Sequence, residues 1–407
     1  MPRFIIPLLM IAIIDIYAFQ VFKTLGKGWV QRAIQIIYWM IPLVIVFFMV
    51  AEASQVKLGL SRSVSISLVA ILFVAYITKL AVVGMLFFGD TMVYLGNIFK
   101  SFSDKDISLR SYTRPKFIKN LALIAGAIPF STLLYGILRN AYRYSILRES
   151  VAIDNLPDDL VGLKIVQISD IHSGSFMFKE PIRKAINLIN KEAADLVFFT
   201  GDLVNEKASE MDNLMDVFDK IKAKRGVYSV LGNHDYGDYA PWKDNDEKLA
   251  NFARLQEIHK ELGWDLLMNE NRVLDVNNAK LGIIGVENWS AKGFRTNGDL
   301  AKAYKGTEAT DVKLLLSHDP SHWDAEVNKK YKDIDLTFSG HTHGFQFGIV
   351  IPGFMKWSPA KYMYKQWSGL YKEGKQHIYV NRGLGMLGYP GRIGMLPEIT
   401  VIELKKA

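Results

Sequence analysis

Residues 226–235 read Gly-Val-Tyr-Ser-Val-Leu-Gly-Asn-His-Asp, an apolar run that stops at Gly232-Asn233-His234-Asp235. The run reads as a buried strand bounded by glycines. Asparagine, histidine and aspartate in succession make a poor core and a good metal site. The carboxamide oxygen of Asn233 can ligate a hard or borderline cation, His234 can ligate or transfer a proton, and Asp235 can fix its tautomer. Taken alone, the tetrapeptide fits a plain turn better, since Gly-Asn turns are common. The same pattern recurs, however. Asp170 and His172 follow the run that starts at Lys164, and Gly201-Asp202 follows Leu196–Thr200. His318 follows Leu314–Ser317, and Gly340-His341-Thr342-His343 follows Asp335–Ser339. Five apolar strands end in metal-type side chains, and open α/β sheets place ligand sites beyond the carboxyl ends of their strands. The chain has 8 histidines; His172, His234, His318, His341 and His343 fall in these motifs, and none precedes residue 172.

This ordered set resembles the signature of the calcineurin-like metallophosphoesterases, over roughly residues 160–404. His343-Gly344 with Gln346, Asn381-Arg382-Gly383-Leu-Gly385 and Pro397-Glu398-Ile399 resemble the bacterial branch of membrane-associated phosphoesterases. Phe345 stands where that branch usually carries a second glycine. The resemblance implies an α/β domain, a β-sandwich of two sheets flanked by helices. It also implies two divalent cations. Asp170, His172 and His343 would hold one, Asn233, His318 and His341 the other, and Asp202 would bridge them. His234 would stand free to protonate the leaving oxygen or steady the transition state, with Asp235 orienting it. Such a pair suits phosphate esters, whose negative oxygens repel a nucleophile until cations neutralise them. Nitrogen and oxygen ligands without sulfur suit Mn, Fe or Zn. Asn381 and Arg382, at a strand end, read as contacts for substrate phosphate.

The expected reaction is hydrolysis of a phosphate ester by metal-activated water. A lipid-linked substrate is one candidate, and a UDP-2,3-diacylglucosamine-type lipid diphosphate is the specific alternative. A non-catalytic metal-binding sensor or scaffold is the other class of reading. It leaves His234 without a purpose. His322 and His377 read as packed or solvated, and His259 as lying on the exposed face of a helix over 248–262. Helices are also expected over Glu180–Ala193 and Met211–Ile221.

The first 140 residues read as a transmembrane domain. Phe4–Phe22, Ala33–Ala51, Val64–Phe88 and Phe117–Leu138 are apolar runs of about the length that crosses a bilayer. Met92–Phe99 continues the third run and is placed at the interface. The domain reading is therefore four helices in 1–140, a linker over 141–160 and the phosphoesterase domain in 161–407. Asp15 and Lys79 fall inside spans that run the same way, so they are expected to pair. The formal charge of +8 is uneven: residues 1–149 carry 16 Lys+Arg against 6 Asp+Glu, the remainder 33 against 35. No nucleic-acid groove is indicated on the catalytic part. Lysines and arginines divide six against nine between the two sides of the membrane, which orients the catalytic part away from the cytoplasm. The expected setting is a multi-pass protein of a bacterial cell membrane. An aromatic and lysine-rich stretch over 345–371 reads as a membrane-facing lip. With no cysteine, disulfides and thiolate ligands are excluded.

Overall fold

The computed structural model describes residues 2–54, 56, 58–60, 62–103, 115–351 and 353–407. They form two compact units, 1–135 and 136–407.

The first unit consists of α1 (Pro2–Phe22), α2 (Gly28–Ala53), α3 (Arg62–Ser103) and α4 (Lys116–Leu138). All four are long and apolar enough to cross a membrane, and only 11–22% of each span is buried within the protein. Side chains left bare in this way need lipid around them. The expected continuation of the third span is present: α3 is one continuous helix of 42 residues. At about 1.5 Å per residue it is roughly twice as long as the hydrocarbon layer is thick, so Met92–Phe99 continues the helix. Small residues bring α3 and α4 together. A Cβ on Gly126 would lie 2.6 Å from Val82 Cγ2, the close approach that packs helices where no hydrophobic effect drives them. Asp15 and Lys79 do pair, with Nζ 2.5 Å from Oδ1. Tyr76 donates to the other Asp15 oxygen at 2.7 Å, and the Lys79 ammonium lies over the Tyr38 ring at 4.3 Å. Four residues counted for orientation, Lys57, Lys105, Arg110 and Arg114, lie outside the described residues.

The second unit is the two-sheet sandwich. Its strands in chain order are β1 (Ser145–Ile153), β2 (Lys164–Ile168), β3 (Leu196–Thr200), β4 (Val227–Val230) and β5 (Trp264–Leu266). Then come β6 (Glu270–Val276), β7 (Ala279–Gly285), β8 (Val312–Leu316) and β9 (Leu336–Ser339). A hairpin of β10 (Ile349–Ile351) and β11 (Met355–Trp357) precedes β12 (Gly369–Glu373), β13 (Gln376–Val380) and β14 (Glu398–Lys406). One sheet runs β1-β14-β2-β3-β4-β5 and the other β12-β13-β9-β8-β7-β6. β2 to β5 are mutually parallel, as are β7, β8, β9 and β13.

The core strands are mostly apolar because both of their faces are covered. Ile165, Leu196 and Phe198 point between the sheets, against Leu314, Leu336 and Phe338. Their neighbours Val166, Val197 and Phe199 point outward under α5 (Lys179–Lys191) and α7 (Asn245–Glu261). The other sheet's outer face, with Ile284 and Leu315, packs under α8 (Leu300–Tyr304) and Trp323.

Three local readings are corrected. The stretch read as a linker holds β1, which is zipped along its full length to β14; charge and a proline masked an edge strand. The helix expected over 211–221 is a 3-10 turn (Ala208–Met211) followed by the single turn α6 (Met215–Phe218). His259 is fully buried on α7, its Nδ1 3.0 Å from Ser229 Oγ and its ring beside Phe199 and Trp264. His322 and His377 are packed inside the fold, His322 bonded to Ser317 and Glu326.

Candidate metal centre

The parallel strands of both sheets deliver their carboxyl ends to one edge of the sandwich. β2 gives way to Asp170 and His172, β3 to Asp202, and β4 to Asn233, His234 and Asp235. From the other sheet β8 leads to His318 and β9 to His341 and His343. The backbone is bent hard there. Asp170, His172, Asp202, His341 and His343 all have positive φ, between 43° and 70°. Non-glycine residues adopt this region at a cost, and concentrated strain of this kind marks functional sites. Glycine makes room for the carboxylates. A Cβ on Gly232 would meet Asp202 Oδ1 at 2.2 Å, and one on Gly340 would meet Asp170 Oδ2 at 2.3 Å.

Two clusters result. Asp170, His172 and His343 offer ligand atoms within 4.8 Å of one another, and so do Asp202, His318 and His341. Within the first, His172 Nε2 faces His343 Nε2 at 3.0 Å, and His343 Nε2 lies 3.2 Å from Asp170 Oδ1. Within the second, His341 Nδ1 faces His318 Nε2 at 3.2 Å. Asp202 Oδ2 belongs to both neighbourhoods, 3.1 Å from His318 Nε2 and 3.6 Å from His172 Nε2. Facing ring nitrogens with carboxylate oxygens between them suit cations. Asn233 adds a carboxamide oxygen that is buried without a partner, while its amide donates to Tyr239 Oη at 2.9 Å. Beside the second cluster, that oxygen has the chemistry to complete a cation's ligand set.

Backbone contacts set which nitrogen is available. His318 Nδ1–H donates to Thr200 O at 2.7 Å, which leaves Nε2 as the ligand atom. His341 turns Nε2 to the Tyr364 hydroxyl at 2.8 Å and presents Nδ1 inward. The main-chain N–H of His341 is 3.0 Å from both Asp170 oxygens, and that of His234 is 2.9 Å from Asp202 Oδ1. Titration follows. Burial opposes charge on Asp170 and Asp202, but the histidines around them hold both carboxyls below the usual range. Burial pushes His172 and His341 down, keeping them neutral as ligation requires. At His318 burial is overcome by the Asp202 carboxylate, which raises it to about 10. A cation must therefore displace a proton from His318.

The structure separates His234 from Asp235. His234 is half-buried and donates Nδ1–H to Asn205 O at 2.7 Å. Asp235 does not orient it, contrary to expectation. Its two oxygens accept main-chain N–H groups of Gly232, Asp202 and Leu203 at 2.8–2.9 Å, tying the β3 and β4 loops together. Asn381 and Arg382 are also reassigned. The Asn381 amide donates to Thr400 Oγ1 at 2.9 Å, and its oxygen accepts from Gly383 N at 2.7 Å. Arg382 Nε donates to Glu398. Both side chains are buried and engaged inside the sheet, so phosphate contact is not their task.

Three contributors escaped the sequence reading: the Asn205 carbonyl, Tyr364 and Arg392. Arg392 is fully buried, donates to the carbonyls of Arg382, Gly383, Gly385 and Met395, and lies 3.4 Å behind His343 Nδ1. It braces the loop on which the first cluster rests.

Comparison with known proteins agrees with this geometry. The family described as "Probable Calcineurin-like phosphoesterase, transmembrane domain" matches residues 1–141, and "Calcineurin-like phosphoesterase" matches residues 163–345. The "Transmembrane protein with metallophosphoesterase domain" of Danio rerio is 29% identical over 294 residues, 70% of this chain and 62% of its own length. The chain thus spans less than two thirds of that relative. The "Uncharacterized metallophosphoesterase YkuE" of Bacillus subtilis (strain 168) is 29% identical over 304 residues, 73% of this chain and 99% of its own length. Among solved structures, the sulfate thiohydrolase SoxB of Thermus thermophilus aligns at 15% identity with TM-score 0.35, over 56% of this chain and 53% of its own. Two clusters of metal-type ligands at one sandwich edge, and four membrane-length helices before them, thus accompany a chain whose two parts match the calcineurin-like phosphoesterase models, the transmembrane-domain model over 1–141 and the phosphoesterase model over 163–345.

Proposed function

We propose that the protein hydrolyses a phosphate ester at a membrane surface with two divalent cations, Mn, Fe or Zn. Asp170, His172 and His343 would hold one, Asn233, His318 and His341 the other, and Asp202 would touch both. The observation that carries this reading is the Asp202 Oδ2 atom, 3.1 Å and 3.6 Å from ring nitrogens of the two clusters. Bound there, the cations would supply positive charge for the phosphoryl oxygens and make water a nucleophile at neutral pH. The chain supplies the rest. Asp170 and Asp202 stay ionised, and His172 and His341 stay neutral. His234, its Nδ1–H fixed on the Asn205 carbonyl and its ring 4.9 Å from that of His172, would use its other nitrogen to give the leaving oxygen its proton.

Four spans ahead of the catalytic unit favour a substrate held near the bilayer, with lipid-linked esters and lipid diphosphates first among candidates. The setting we propose is a bacterial cell membrane, with the catalytic unit on the exocytoplasmic side. The test uses the full chain in lipid, with Mn added, on phosphomonoesters, diesters and lipid diphosphates. Metal-dependent release of phosphate or alcohol from at least one class is expected. Metal binding without turnover of any would overturn the reading in favour of a sensor.

A further inference from the structure

Between His343 and Tyr364 the chain makes an excursion that leaves the metal centre and returns to it. It departs at a cluster residue, and it comes back where the Tyr364 hydroxyl meets His341 Nε2 at 2.8 Å. Its outermost part is the hairpin β10–β11, paired Ile349 to Trp357 and Ile351 to Met355, outside both large sheets. The root is secured: Gly348 N–H donates to Ile393 O at 2.8 Å. The tip is bare. Ile349, Val350 and Ile351 are all exposed, and Phe354 is 82% exposed.

Successive side chains of a strand point to opposite faces. Three consecutive exposed aliphatic residues therefore mean that neither face of β10 is covered. A lone two-stranded hairpin is marginal in water, and an apolar one with an open edge invites association. Its charged side chain is withdrawn: Lys356 donates to the Ser368 carbonyl and lies over the Trp367 ring at 4.9 Å. Tyr362, 74% exposed, and Lys361, whose ammonium lies over that ring at 5.0 Å, follow the hairpin in the chain. Exposed aliphatic and aromatic residues with a tyrosine and a lysine close by are the composition of an interfacial membrane contact.

The occupant follows from the chain itself. The fourth membrane-length helix ends at Leu138, and β1 starts at Ser145. The residues between them span about 20 Å at full extension, a tether too short to let the catalytic unit drift far from the bilayer. We propose that the 347–357 hairpin is inserted into the boundary between head groups and acyl chains, as a second membrane contact rooted in the metal centre. A phosphate ester at head-group level would then meet the site without leaving the membrane, a consequence that rests on the function proposed above. The insertion itself does not.

The full chain lacks cysteine, so a single label can be placed anywhere. F354C and, as a second position, V350C are coupled to an environment-sensitive fluorophore and reconstituted in phosphatidylcholine nanodiscs. N278C, in the exposed β6–β7 turn at the opposite end of the strand from the site, is the reference. Doxyl-labelled phosphatidylcholine should quench both hairpin labels several-fold more than the reference, with a blue-shifted emission. Quenching no stronger than at N278C would overturn the proposal. So would disulfide-linked dimers formed by unlabelled F354C on oxidation, with no quenching of the labelled protein, which would assign the face to a second copy of the chain. The readout needs neither metal nor turnover, and its failure would leave the proposed hydrolysis standing.

Discussion

Main-chain N–H groups of Gly232, Asp202 and Leu203 converge on the Asp235 carboxylate, and His234 beside it leans instead on the carbonyl of Asn205. Adjacent residues should therefore fail in different ways. His234→Ala leaves both clusters intact, so metal content should stay near normal while turnover of alkyl esters falls about 10²–10⁴-fold, the weight of a positioned proton donor. The loss should shrink for a nitrophenyl ester, whose leaving group needs no proton. Asp235→Ala orphans the buried N–H groups, at about 1–3 kcal/mol each. It should lower the melting temperature and loosen metal binding before it changes the chemistry. A metal-free H234A, or a D235A variant with wild-type stability and lost turnover, would reverse these assignments. The cluster residues were legible because each is a polar type placed directly after an apolar run. The partner of His234 was not, since a main-chain carbonyl has no side-chain identity to read. Nor was Arg392, which reaches His343 across a loop 49 positions away in sequence.

Among elements, α1 and α3 are joined by the Asp15–Lys79 pair, with Tyr76 bonded to the same carboxylate. Desolvation makes such a pair weak evidence for stability, but breaking it strands a charge and costs about 3–5 kcal/mol. Asp15→Leu alone and Lys79→Met alone should each sharply reduce thermal stability in detergent. The double variant should recover most of the loss. A double variant as unstable as either single one would mean that the pair does more than hold two helices. The elements themselves were largely visible as periodicity and apolar length. What misled was local composition: acids and a proline hid β1, and the apolar spacing of 211–221 suggested one helix where two short turns pack Met211 and Phe218 into the core. Phe345 is a departure with a structural signature. It sits at φ 53°, the conformation that the glycine usual at this place would take freely.

At the scale of the whole molecule, the orientation proposed above, with residues 150–407 outside the cytoplasm, rests on the six-to-nine division of lysines and arginines. Alkaline phosphatase fused after residue 407 should be active. A fluorescent green reporter without phosphatase activity there would invert the topology. The order of strands in the first sheet carries a further consequence, for synthesis. β1 and β2 do not bond to each other; β14 lies between them, parallel to one and antiparallel to the other. Every residue of both ligand clusters has left the ribosome by the time Glu398 is made, and the four apolar helices long before. Until β14 arrives, β2 offers an open edge and β1 has no sheet to join. The nascent protein thus passes through a stage in which its membrane part is placed and its ligands are all present, yet the sheet beneath them is unfinished. Long-range closure of this kind is slow and exposes sticky edges. The interval before residues 398–406 emerge is when this chain most needs a chaperone.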